Sequence, residues 1–405
     1  MTVVRQWSRH LSVVLAFVFG LSGFVFAQDK VIARAGSEPE LVAEKSAPAK
    51  IIASTGAESP PARTAAAPAK PASKKTAGPP FATYGVPAEG DDPSRDDPIV
   101  RAAAVEALGK IMGSVVVVDP DNGRVLSVVN QELAFGGGYQ PCSAFKPAVA
   151  LAALGEGIIE TDRTRLELGK KWFLDLHKAL AISNNLYFEK LGRTLGIDKL
   201  ERYAHQFGFG EQAGWGIEPE PAGAFPSTPP PARAGGVGKV ASFGEGISMT
   251  LFQLASFVSA LANGGTLYYL QYPTLGGEQE FTPRVKRQLP IVTDLAVVQA
   301  GMEEAVLTGT ARRAKQPHLR VVGKTGTCSE GRARLGWFAG YNREPGGVAI
   351  VVLLRTGQRL GGGPKASQVA GDVFRQLNDA NYYTRSVWRA PSQAPPAAIQ
   401  MLPLP

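Results

Sequence analysis

Three short segments hold residue types that could do covalent chemistry together. The first is Ser143-Ala144-Phe145-Lys146. A spacing of three puts a hydroxyl and an amine on one helical face, close enough to meet. A serine hydroxyl is a weak nucleophile until a base takes its proton. A buried lysine becomes that base when desolvation and neighbouring charge lower its pKa. A helix N-terminus at this point would add positive potential where an oxyanion forms. The second segment is Ser183-Asn184-Asn185. Ser183 could pass a proton between base and leaving group, and Asn185 offers an amide to Lys146 or to a substrate carbonyl. The third is Lys324-Thr325-Gly326-Thr327. Its amine and two hydroxyls suit a carboxylate, and Gly326 removes a side chain where a ligand backbone must come close. The Thr327 N–H could donate to an oxyanion. Taken singly, the three read as a capping serine with a solvated lysine, a helix cap, and a strand-end turn. Their occurrence together, in this order, points to an activated serine.

The elements that must position them can be read from pattern. Pro98 to Met112 has helical apolar spacing. Ser114 to Val118 and Arg124 to Val129 are β-branched runs around the turn signal Asp121-Asn122-Gly123. Ala144 to Leu154 is an apolar helix. Asp175 to Ile182 and Leu186 to Leu195 are two short helices around the Ser183 knot. Thr250 caps a further helix, with Gln253 completing the box and Asn263-Gly264-Gly265 as its stop. Leu319 to Cys328, Leu335 to Tyr341 and Val348 to Leu354 read as strands, and Ala366 to Leu377 as a last helix. Two strands, then helices, then three strands predict an α+β domain. Its five-stranded antiparallel sheet is flanked by N- and C-terminal helices, and a mostly helical subdomain is inserted between the early and late strands.

The chain has 405 residues, 44% hydrophobic and 19% charged. That suffices for one large core and excludes a disulfide mini-scaffold or a polytopic membrane protein. Lys+Arg 43 against Asp+Glu 35 gives a net charge of +8, thinly spread, so a solvated basic surface is expected and nucleic-acid binding is not. His10, His177, His205 and His318 lie far apart with no metal-ligand spacing, so neither a metal nor any cofactor is expected. Arg5 and Arg9 precede an apolar run, Leu11 to Ala27, ending in small residues before Gln28. This predicts an export signal over residues 1–27, cleaved after Ala27 or kept as an anchor; only the uncleaved form would engage a membrane. Residues 28–96, rich in Ala, Pro, Lys and Ser, read as a disordered tether. Residues 389–405 read as a similar tail, leaving one folded unit over 97–388. The glycine run Gly361-Gly362-Gly363 reads as the loop before the last helix. Trp172, Trp215 and Trp337 read as core or cleft wall.

Together the three segments form the set shared by penicillin-binding proteins and class A β-lactamases. The folded unit resembles the transpeptidase domain of penicillin-binding proteins. The likeness rests on the stretch Tyr139 to Pro147, on Leu180 to Phe188, and on Gly244 to Thr250 with Gln253-Leu254-Ala255. Val322 to Thr327 and Trp337-Phe338-Ala339-Gly340-Tyr341 complete it. The resemblance implies that Ser143 is acylated by a D-Ala-D-Ala-type stem peptide of peptidoglycan or by a β-lactam. Lys146 is then the base, Ser183 the proton relay and Asn185 a positioning group. Lys324, Thr325 and Thr327 hold the terminal carboxylate beside Gly326, and the N–H groups of Ser143 and Thr327 hold the oxyanion. The acyl group would pass to an amine, as in a transpeptidase, or to water, as in a DD-carboxypeptidase.

The sequence also departs from the family. Cys142 replaces the usual Gly, and a tether stands where large members carry another domain. If the Ser143 and Thr327 N–H groups share one oxygen, Cys142 and Cys328 are held close, within the Cα separation of about 4.4–6.8 Å that a disulfide needs. A Cys142–Cys328 bridge is therefore expected, with two buried thiols as the alternative. Some class A carbapenem-hydrolysing β-lactamases are similar at both positions. That likeness keeps a serine β-lactamase as the alternative function. Against it, Glu218 and Glu220 lack the Glu-x-x-x-Asn setting of class A enzymes, and Asn185 stands where class D enzymes usually have Val. An alternative of another class is a non-catalytic penicillin sensor or cell-wall scaffold.

Overall fold

The computed structural model describes residues 81–217, 220–273, 281–290, 292–357 and 360–384. The expected signal, most of the tether and the C-terminal tail lie outside the described residues, as does Glu218. Helix α1 (Pro98–Leu108) is followed by β1 (Gly113–Val118), β2 (Val125–Val129) and the short α2 (Gln131–Phe135). Next come α3 (Lys146–Gly155), the hairpin β3 (Arg165–Gly169) and β4 (Trp172–Asp175), α4 (Leu176–Ala181), α5 (Asn185–Leu195) and α6 (Ile197–Gln206). Then follow α7 (Gly236–Phe243), α8 (Leu251–Ala262), the hairpin β5 (Thr266–Tyr268) and β6 (Val285–Gln288), and α9 (Leu295–Leu307). The chain closes with β7 (Val321–Glu330), β8 (Ala333–Asn342), β9 (Ala349–Thr356) and α10 (Gly363–Asp379).

The five-stranded sheet has the order β2-β1-β9-β8-β7, antiparallel throughout. Its strands are apolar on both faces because both faces are covered. Val116 and Val118 of β1, with Val351 and Leu353 of β9, join the core shared with α8 and the helical subdomain. Val115, Val117, Ile350 and Val352 join the opposite core with α1 and α10. The α+β architecture expected from the element order is the one observed. Helix α8 begins on the full capping box, Thr250 accepting from Gln253 N and Gln253 Oε1 accepting from Thr250 N. Asp97, Asp175 and Asn184 cap α1, α4 and α5 with their side chains alone, without the reciprocal bond. Helices α6, α7 and α9 start without a side-chain cap, although Asp294 stands at the head of α9.

The beginning of the folded unit needs a correction. Residues 81–96, assigned from composition to the tether, pack on the domain. Met112 N–H donates to Thr83 O and Gly85 N–H to Lys110 O. The Asp91 carboxylate accepts from Asn130 N at 2.9 Å, Gln131 N at 2.7 Å and Arg101 Nη2 at 2.7 Å. A Pro- and Gly-rich composition hides this because the anchoring is polar and local.

Asp91→Ala should therefore cost about 2 kcal/mol, since it leaves two part-buried N–H donors without their acceptor and takes one of two carboxylates from Arg101, which keeps Asp96. A urea titration should show a lower midpoint with an unchanged slope; an unshifted midpoint would contradict the anchoring role.

Candidate active site

Ser143 lies on a 3-10 turn, Cys142–Phe145, where the sequence suggested the head of a helix from Ala144; α3 starts at Lys146. Pro147, at the head of α3, suits the first turn because its ring fixes φ and no N–H is missed there. Cys142 has φ 53°, a left-handed conformation that glycine adopts freely and other residues adopt at a cost of about 1–2 kcal/mol. A glycine, expected here from the family resemblance, would adopt that backbone freely; the cysteine is held by its bridge. Ser143 is nearly buried at 9% exposure, and its Oγ lies 3.5 Å from Ser242 O at the end of α7.

Two lysine amines meet behind it. Lys146 and Lys324 are both fully buried. Lys146 Nζ donates to Ser183 O at 2.7 Å, Asn185 Oδ1 at 2.7 Å and Ser183 Oγ at 3.2 Å. It also stands 5.2 Å from the centre of the Phe188 ring. Lys324 Nζ donates to Ser183 Oγ at 2.8 Å and to Thr325 O at 2.8 Å. One serine hydroxyl therefore takes two amines. Ser183 sits at the elbow between α4 and α5 with φ 55°, and this left-handed residue turns its carbonyl and its hydroxyl toward the same place. Burial, reinforced by the charge of Lys324, holds the Lys146 amine well below its ordinary range. Burial lowers Lys324 to about 7.

Strand β7 is an edge of the sheet, and its open side faces the nucleophile turn. A Cβ on Gly326 would come 2.8 Å from Pro141 O and 3.0 Å from Ala144 N. The close approach that requires glycine is thus to the protein's own nucleophile turn, where the sequence suggested a ligand backbone. Thr325 O takes the Lys324 amine, so Thr325 faces the open edge; Thr327, two residues on, turns its N–H the same way. Cys142 and Cys328 form a disulfide with Cα atoms 5.6 Å apart, tying the turn to the strand. Trp337 of β8 is wholly buried and its Nε1–H donates to Gln140 O at 2.9 Å, a third tie on the same turn.

Lys146, Ser183, Asn185 and Lys324 are thus in one hydrogen-bonded group. Ser143 is adjacent through the turn, but no hydrogen bond joins its Oγ to either amine. Asn185 holds Lys146, the first of its two candidate roles. Two contributors were not legible. Gly363 N–H donates to Thr327 Oγ1 at 2.6 Å, and a Cβ on Gly363 would come 2.6 Å from Thr325 Cβ. The glycine run before α10 carried that signal, read only as a loop. Thr310 meets Thr325, with the two hydroxyl oxygens 2.7 Å apart, and nothing in its spacing marked it. Among the described residues no group of His, Cys, Asp or Glu could hold a metal ion.

The sheet, the inserted helices and a serine served by two lysines define a class, and the chain belongs to it. The penicillin binding protein transpeptidase domain matches residues 113–378, and this protein is a member of that family. It is 32% identical over 260 residues to the Stage V sporulation protein D of Bacillus subtilis, covering 53% of this chain and 39% of the relative. It is 24% identical over 353 residues to the peptidoglycan D,D-transpeptidase MrdA of Acinetobacter baumannii, covering 68% of this chain and 52% of that one. The chain therefore spans about half, or less, of these relatives' length. Among solved structures it matches Pseudomonas aeruginosa PBP2 in complex with WCK 5153 with a TM-score of 0.59 and 26% identity, over 71% of this chain and 77% of that one. The transpeptidase domain of Burkholderia pseudomallei penicillin-binding protein 3 shares the fold with a TM-score of 0.59 at 23% identity, over 72% of this chain and 95% of that domain.

Replacing both cysteines by alanine should lower the unfolding free energy by about 2–5 kcal/mol, through the lost cross-link. With Cys328→Ala kept, Cys142→Gly should recover about 1 kcal/mol relative to Cys142→Ala, because glycine accepts the left-handed backbone. Equal denaturation midpoints for the two double variants would show that residue 142 is not strained.

Proposed function

We propose that this protein is a serine acyltransferase that acts on D-Ala-D-Ala-type stem peptides of peptidoglycan, is acylated by β-lactams, and works through an ester on Ser143. The observation that carries this reading is the convergence of two buried amines on the Ser183 hydroxyl beside that serine. As substrate enters, the Ser143 hydroxyl leaves Ser242 O, gives its proton to the neutral Lys146 amine and attacks the carbonyl carbon. The N–H groups of Ser143 and Thr327 receive the oxyanion. Ser183 hands a proton to the leaving D-Ala nitrogen as the C–N bond breaks, and is resupplied by the ammonium now on Lys146. An amine then attacks the ester, forms the new peptide bond and returns the serine hydroxyl. Lys324, still charged, and the Thr325 and Thr327 hydroxyls bind the terminal carboxylate. Thr327 Oγ1 already accepts from Gly363, which leaves its proton for that carboxylate.

Such chemistry belongs outside the cytoplasm, in the cell envelope, in keeping with the export signal read over residues 1–27. Among the described residues no helix is long and apolar enough to cross a membrane.

Intact-mass measurement of a penicillin time course should show one long-lived adduct, absent in Ser143→Ala. Rapid loss of the adduct would instead support a β-lactamase, and no adduct at all a scaffold. The second-order acylation constant should have a bell-shaped pH profile. It rises as Lys146 loses its proton at a depressed pKa, and it falls above about 7 as Lys324 loses the charge that binds the carboxylate. A profile flat from pH 5 to about 10 would rule out this division of labour.

A further inference from the structure

The loop after α9, Thr308-Gly309-Thr310, belongs to none of the three motifs. Gly309 lies against the end of α4, where a Cβ would come 2.1 Å from Ala181 O. Thr310 N–H donates to the same carbonyl at 3.1 Å. Ala181 is two residues before Ser183, so residue 310 is fixed to the elbow that holds both lysines. On its other side, Thr325 Oγ1 donates to Thr310 Oγ1 at 2.7 Å. Thr325 is only 4% exposed, whereas Thr310 is half-buried.

A hydroxyl has one proton. In the empty site the proton of Thr325 is directed at Thr310 and away from any incoming anion. The Thr310 hydroxyl proton has no acceptor among the described residues. We propose that Thr310 is a positioning residue for the substrate carboxylate, acting through Thr325. When the carboxylate arrives, both hydroxyls turn: Thr310 donates to Thr325, and Thr325 donates to the carboxylate. The hydroxyl hydrogens rotate to suit their partners, with a small adjustment of the Thr310 side chain to bring its hydroxyl into donor geometry. A hydroxyl that accepts while it donates is also the stronger donor. The proposal rests on the acyl-transfer reading above, and extends its carboxylate site to a residue on α9's exit loop.

The test compares benzylpenicillin with its methyl ester, which has no free carboxylate. Acylation of Ser143 is followed by intact mass for the unaltered protein and for Thr310→Val, Thr310→Ser, Thr325→Val and Thr310→Val/Thr325→Val. Thr310→Val should lower the second-order constant for the acid about threefold to tenfold, the usual scale for a hydrogen bond between neutral groups. The loss should lie in the concentration needed for half-saturation, with the limiting rate unchanged. The ester should be unaffected, which also reports that the variant is folded. Thr310→Ser should behave as the unaltered protein, and the double variant should be no worse than Thr325→Val alone. Equal losses with acid and ester, additive losses in the double variant, or no loss in Thr310→Val would each overturn the proposal. Absence of any adduct on the unaltered protein would instead remove the acyl-transfer reading, and this proposal with it.

Discussion

Two ammonium groups cannot both stay charged in a dry site without an anion, and the site depends on that constraint. Every hydrogen bond to Lys146 and Lys324 comes from a neutral acceptor: Ser183 O and Oγ, Asn185 Oδ1 and Thr325 O. Burial without a hydrogen-bonded carboxylate disfavours the charged amine, and the more distant Glu189 offsets this for Lys146 only in part. The charge of Lys324 further penalises that of Lys146, so the proton leaves the one that is needed as a base. For Lys324, lowered to about 7, the unfolded chain holds more protons than the folded one between about 7 and its ordinary 10.5. In that window this lysine makes the empty fold more stable as pH rises, and the penalty is complete below it. A bound carboxylate removes the penalty by supplying the missing anion. Stability is thus sacrificed in the empty protein for affinity toward an anionic ligand.

Holding such a pair requires rigid backbone from three directions. The α4–α5 elbow supplies Ser183 in a left-handed conformation. The edge strand β7 supplies Lys324, and the 3-10 turn supplies Ser143 with Lys146 close behind. Turn and strand are joined by the disulfide, by Trp337 reaching Gln140 O and by the glycine at 326 that lets the two backbones touch. These ties make the distance between the nucleophile and the Thr327 N–H a property of the fold. The oxyanion donors proposed here therefore need no reorganisation as charge develops.

Much of this was legible in the sequence. The elements bearing the three motifs have strong signals: β-branched runs for the strands, a complete capping box for α8, polar caps for α4 and α5. Helices α6, α7 and α9 were not read; like α3 and α10 they start without side-chain caps and draw their stability from packing. The site was readable as residue types but not as directions. The spacing of Ser143 and Lys146 suggested a shared helix face; the structure has a 3-10 turn, with the amine drawn toward Ser183 and Asn185. Gly326 was recognised as necessary, and what approaches it was not. Thr310 and Gly363 act through a hydroxyl and a main-chain N–H across the fold, and no local pattern encodes such contacts.

Glu220 bears on which way the acyl group leaves. Hydrolysis needs a base placed to activate water beside the ester, and a carboxylate is the usual one. Glu220 is buried, and both its oxygens are committed: Oε2 accepts from Ala213 N and Gly214 N, and Oε1 from the Thr250 hydroxyl. Its carboxyl is raised by burial, in spite of these bonds. It fastens the 213–220 segment to the N-terminus of α8, a structural duty. Glu189, on α5, is engaged with Arg193 and Lys239. Neither acid has the freedom to orient a water.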